Sequence, residues 1–91
     1  MKIQFTFTLG GGYLTKKVII VADCPCEPTI RHSPHGVIIS PVDDFEVTET
    51  ELIDDYRQYI TFSPHSDSTL VVEPTGMAYP FCLKFPKVIS K

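Results

Sequence analysis

Ile3, Phe5, Phe7 and Leu9 alternate with Gln4, Thr6 and Thr8 at the start of the chain. Successive side chains of a strand point to opposite faces, so a period of two specifies a β-strand with one buried face. Gly10-Gly11-Gly12 follows, and Tyr13 to Ala22 is rich in β-branched residues. Glycine tolerates positive φ in a tight connection, and β-branched residues favour extended backbone. Together these segments predict an antiparallel N-terminal β-hairpin, and the rest of the chain must build on that sheet. A glycine-rich loop after a strand can also cradle phosphate. Here neither Gly-x-Gly-x-x-Gly nor a Gly-Lys-Ser/Thr run is present and the next segment reads as a strand, which argues against nucleotide binding.

Downstream the pattern changes. Residues 23–36 hold Pro25, Pro28 and Pro34 and read as an irregular segment, and Val37 to Ser40 reads as a short apolar strand closed by Pro41. From Thr48 onward Leu52, Ile53, Tyr56, Tyr59 and Ile60 recur at helical spacing. Thr48 and Glu51 fit a Thr-x-x-Glu capping box, with acids in the first turn where the helix dipole favours them. This predicts an amphipathic helix over about 49–60. Ser63 to Ser68 and Pro74 to Met77 read as turns, and Leu70 to Glu73 and Ala78 to Phe85 as strands, the last expected at an edge or short because of Pro80 and Pro86.

The fold class expected is α+β: a mostly antiparallel sheet of about five strands, opened by the hairpin, with one amphipathic helix packed on it. Its expected core is Ile3, Phe5, Phe7, Val18, Ile20, Ile38, Leu52, Tyr56, Ile60, Val71, Phe81, Leu83 and Phe85. Ninety-one residues, 43% of them hydrophobic, suffice for a single globular domain over 1–91 but not for separate substrate and cofactor domains. The longest apolar run, Val18 to Ala22, is strand-sized and far below the ~20 residues of a membrane span. The N-terminus lacks the unbroken apolar stretch of a signal peptide, and three cysteines fit a disulfide framework poorly. A cytoplasmic, reducing location is the expectation.

Net charge is only −3, yet its distribution is uneven. Residues 1–22 carry Lys2, Lys16 and Lys17 without an acid, and residues 76–91 carry Lys84, Lys87 and Lys91 without an acid. Between them Asp43, Asp44, Glu46, Glu49, Glu51, Asp54 and Asp55 crowd thirteen positions that hold no lysine or arginine. Such a run either solvates a surface or addresses a basic partner protein. Six scattered lysines do not make the basic stripe that direct nucleic-acid binding needs.

The sharpest chemical signal is Cys24-Pro25-Cys26 followed by His32-Ser33-Pro34-His35. Thiolate and imidazole form the donor set zinc prefers, and in an extended segment Cys24 and Cys26 would share a face, so Cys24, Cys26, His32 and His35 are candidate zinc ligands. One intervening residue is shorter than the usual spacing of structural cysteine pairs, and the alternative is surface histidines with cysteines acting as small hydrophobes. Cys-x-x-Cys, Gly-x-Ser-x-Gly, His-Glu-x-x-His and the EF-hand pattern are all missing, so no catalytic residues are assigned. The expected function is therefore non-catalytic: a protein-binding module that modulates another macromolecule as inhibitor, adaptor or accessory subunit. Its contact would be the acidic helix face or a sheet edge, the latter also offering a homodimer. A zinc-stabilised interaction module and a cysteine-dependent enzyme are the alternatives.

Overall fold

In the computed structural model, which describes residues 1–10, 15–33, 36–65, 67–75 and 81–91, the N-terminal alternation forms β1 (Lys2–Leu9) and the β-branched run forms β2 (Lys16–Asp23). They pair antiparallel in one register from Lys2↔Asp23 to Leu9↔Lys16, as the hairpin reading requires. The chain then lays down β3 (Thr29–Ser33), β4 (Gly36–Ser40) and β5 (Asp44–Glu51). After a single 3₁₀ turn, Tyr56–Gln58, come β6 (Ile60–His65), β7 (Thr69–Pro74), β8 (Phe81–Leu83) and β9 (Lys87–Ser90).

Two antiparallel sheets result. The first has the order β5-β2-β1-β8, with β9 pairing β1 beside β8; the second has the order β3-β4-β7-β6. Their inner faces share one core. Ile3, Phe5, Phe7, Leu9, Val18, Ile20 and Ala22 come from the first sheet and Val37, Ile39, Ile60, Leu70 and Val72 from the second, all essentially inaccessible to water. Phe7 ties the layers together: its ring lies 5.8 Å edge-on from Phe62 of β6 and 5.8 Å stacked on Phe81 of β8. Such pairs add about 0.5–1.5 kcal/mol each beyond the area they bury.

The α+β expectation is overturned. The described residues are nearly all strand and contain no helix of seven residues or more. The segment expected to be helical is instead the second half of β5, a connection, and the 3₁₀ turn capped by Asp55. Two physical terms explain the difference. A twelve-residue helix is marginal without tertiary support, whereas Asp44 to Glu51 alternates acids with apolar or threonine residues, apart from the adjacent Val47 and Thr48, and finds a full-length partner in β2. Leu52, expected in a helical core, sits at φ 59 and is 62% exposed, a backbone state that ends any right-handed helix there.

The expected core needs three further corrections. Ile38 and Val71 pair across β4 and β7 but face outward, while their neighbours Val37, Ile39, Leu70 and Val72 are buried. A one-residue phase error exchanges the faces of a strand, and an unbroken apolar run carries no local sign of its phase. Phe85 is 98% exposed. Tyr56, Phe81 and Leu83 are partly buried against the core, and Ile3, Phe5, Phe7, Val18, Ile20 and Ile60 are fully in it. The segment read as irregular holds β3, and Ser63-Pro64-His65, read as a turn, lies on β6, where an edge position suits a strand proline. The first residues of the expected strands at Tyr13 and Ala78 lie outside the described residues.

Candidate partner-binding edge

Strand β5 closes one side of the first sheet, hydrogen-bonded to β2 alone. Its alternation places Phe45 and Val47 inward, opposite Ala22 and Ile20, and Asp44 and Glu46 outward, opposite Asp23 and Val21. Continued without interruption, the same parity would turn Glu49 and Glu51 toward the core. Burying an unpaired carboxylate costs several kcal/mol or more. The ladder instead shifts register between Ile19 and Ile20: Ile20 pairs with Val47 and Ile19 with Glu49, which leaves Thr48 as the extra residue of a β-bulge. The Thr48 hydroxyl donates to the Ile19 carbonyl oxygen at 3.3 Å across the irregularity. One bulge thus turns Glu49 and Glu51 to the outer face, where they join Asp44 and Glu46.

The partners of these acids differ. Glu51 reaches the Lys17 ammonium at 3.5 Å, an ion pair with both side chains well exposed and worth ~1 kcal/mol at most. One Asp44 carboxylate oxygen accepts from the Phe45 amide at 2.9 Å. Glu46 and Glu49 make no ion pair among the described residues. Asp44 stands opposite Asp23 on β2, a like-charge pair moderated by Lys2 across from Asp23 on β1. Lys2, Asp23, Asp44 and Glu46 rim a shallow hollow at this end of the sheet.

The other three acids of the run do not join this face. Asp43 precedes β5, where its carboxylate accepts from the Ser68 hydroxyl at 3.3 Å. Asp54 lies in the connection after β5. Asp55 caps the 3₁₀ turn, accepting from the Arg57 backbone amide at 3.0 Å and from Arg57 Nε at 3.1 Å. The Arg57 side-chain hydrogen bond, followed by the amide bond, holds the Asp55 carboxyl below the usual carboxylate range. The acidic helix face therefore does not exist, and four of its seven acids form an acidic strand edge instead.

The cysteine and histidine candidates are dispersed. A bend over Pro25 and Cys26 directs Cys24 into the core at 2% exposure, with its backbone paired to Met1 through bonds of 2.7 and 2.8 Å, and leaves Cys26 in solvent. The shared face expected of the two thiols is absent. Burial pushes the Cys24 thiol up, against the nearby N-terminal ammonium and with Asp23 and Asp43, which disfavours the thiolate a metal would need. His32 is exposed on β3, opposite Val37, and His35 lies outside the described residues. Among the described residues no group of three or more His, Cys, Asp or Glu is placed to hold a metal ion.

The last strand, expected at an edge or short, does lie on the opposite edge of the first sheet, but the sequence reading assigned no contact residues there and placed Phe85 in the core. There Lys84, Phe85, Lys87, Val88 and Ile89 are all exposed. The signal available was Lys-Phe-Pro-Lys, in which a phenylalanine between two lysines and next to a proline is poorly suited to a buried strand.

No helix among the described residues is long and apolar enough to cross a membrane. Compared with protein-family models, curated proteins and solved structures, the chain matches none.

Proposed function

We propose that this chain is a small non-catalytic protein-binding module that presents its β5 edge to a basic surface of a partner protein and so modulates that partner as inhibitor, adaptor or accessory subunit. The observation that carries the reading is the Thr48 bulge, which gathers Asp44, Glu46, Glu49 and Glu51 on one exposed face of an edge strand. An edge strand offers unpaired backbone groups for strand addition, and a row of carboxylates beside them selects basic partners and speeds their approach. Three free thiols, two of them exposed, suit a reducing, cytoplasmic setting.

The test is partner capture from the native cell extract, with bound proteins identified by mass spectrometry. Glu46→Gln/Glu49→Gln should lose the basic proteins that the wild-type chain retains while keeping its circular dichroism spectrum and melting temperature. Equal recovery by both proteins would remove β5 as the contact surface.

A further inference from the structure

We propose that the basic surface met by the β5 edge is the β8–β9 edge of a second copy of this chain, so that the first sheet continues head to tail from one molecule into the next. This deepens the reading of β5 as a contact edge and rests on it.

Strand direction permits the arrangement. β5 is antiparallel to β2, β2 to β1, and β1 to both β8 and β9, so the two outer positions of the sheet run in opposite directions. A copy displaced along the sheet without rotation sets its β5 antiparallel beside the first copy's β8 and β9, which preserves the alternation of the sheet.

Charge favours this pairing over the others. Two β5 edges placed together oppose carboxylates to carboxylates, and two β9 edges oppose lysines to lysines. Charged edge strands ordinarily prevent edge-to-edge association; here each edge repels its own kind and suits the other. The cross-strand rows also line up. Glu46 pairs with Val21, Val21 with Gln4, and Gln4 with Lys87, so one row crosses the whole sheet from acid to base. Glu49 pairs with Ile19, Ile19 with Thr6, and the Lys84 amide donates to the Thr6 carbonyl oxygen at 2.9 Å. In the unshifted register, Glu46 of one copy meets Lys87 of the next and Glu49 meets Lys84. Phe85, 98% exposed, lies between those two lysines and would be covered by the arriving strand.

A contact between two different surfaces is heterologous, so it closes into a ring or extends as a filament rather than stopping at a symmetric dimer. Sedimentation velocity at low ionic strength over a wide concentration range provides the test, using the wild type, Glu46→Lys/Glu49→Lys and Lys84→Glu/Lys87→Glu. The expected wild-type result is mass that grows with concentration beyond a dimer of the 10.2 kDa chain and falls back in high salt, where screening shortens the reach of exposed charges. Each variant alone should remain monomeric, and their equimolar mixture should associate again, because each then supplies the charge the other lacks. All four substitutions are at exposed positions, and unchanged circular dichroism establishes that the variants fold. A wild type that stays monomeric, a dimer that neither grows nor responds to the variants, or a mixture that fails to associate would each overturn the proposal. If the wild type stays monomeric while the Glu46/Glu49 variant still loses capture of a different basic protein, β5 remains the contact edge and only the second copy is eliminated.

Discussion

A methyl group added at Gly36 would sit 2.1 Å from the Val72 carbonyl oxygen and 3.1 Å from the Glu73 Cα and Cγ atoms. The Glu73 side chain can give way, but Val72 is backbone in the middle of β7, paired with Val37 next to the glycine. Relieving the contact requires the β4–β7 spacing to open by close to an ångström, which disturbs the packing of buried Val37 and Val72. Overpacking of this kind costs typically about 1–3 kcal/mol. Against it, Gly→Ala reduces the freedom of the unfolded chain and stabilises by about 0.4–1 kcal/mol where the backbone is compatible. The steric term wins, and Gly36→Ala should lose roughly 1–2 kcal/mol. For a domain of this size that corresponds to a fall of roughly 4–16 °C in melting temperature. Total stability of about 5–14 kcal/mol for such a chain leaves the variant folded and measurable. Urea unfolding followed by circular dichroism, with thermal melts in parallel, gives both numbers. An unchanged or raised midpoint would refute the close approach of β4 to β7 and the layout of the second sheet built on it.

Leu52→Gly should raise stability by up to about 1 kcal/mol, since it relieves a left-handed backbone costing roughly 1–2 kcal/mol at an exposed site, less the entropy glycine adds to the unfolded chain; a loss in urea titration would contradict this. At neutral pH, Cys26 and Cys82 should alkylate rapidly and Cys24 only on unfolding, as mass spectrometry of partially labelled protein will show. Because burial raises the Cys24 thiol, its contribution to stability is full below the ordinary thiol range and is lost as pH rises through the raised folded value. The alkaline decline in melting temperature should therefore be shallower in Cys24→Ala than in wild type, each measured against its own neutral value; parallel declines would refute the assignment. A strong chelator should leave the melt unchanged, because Cys24 is buried in the core while Cys26 is exposed, and stoichiometric zinc by elemental analysis with a chelator-sensitive melt would overturn that expectation.

Strand β1 and its antiparallel pairing with β2 were legible because their information is local: a period of two, a glycine triplet and a β-branched run lie within 22 residues. The acidic run was also legible as composition. Its shape was not, since Thr48 to Ile60 satisfies both a capped amphipathic helix and the end of an alternating strand. The long-range pairing of β5 with β2 decided between them, as neighbour-independent propensities are weak beside a full-length ladder. The same pairing created the bulge that turns Glu49 and Glu51 outward. The buried faces of β4 and β7 were set by contact with the opposite sheet, because Val37-Ile38-Ile39 and Leu70-Val71-Val72 are apolar on both sides. The sequence by itself determined that this chain begins as a β-sheet and carries an acidic middle between basic ends. Only the tertiary structure decided that Glu46 and Glu49 on one side and Lys84 and Lys87 on the other occupy opposite edges of one sheet, because edges are defined by which strands remain unpaired after all the others have found partners.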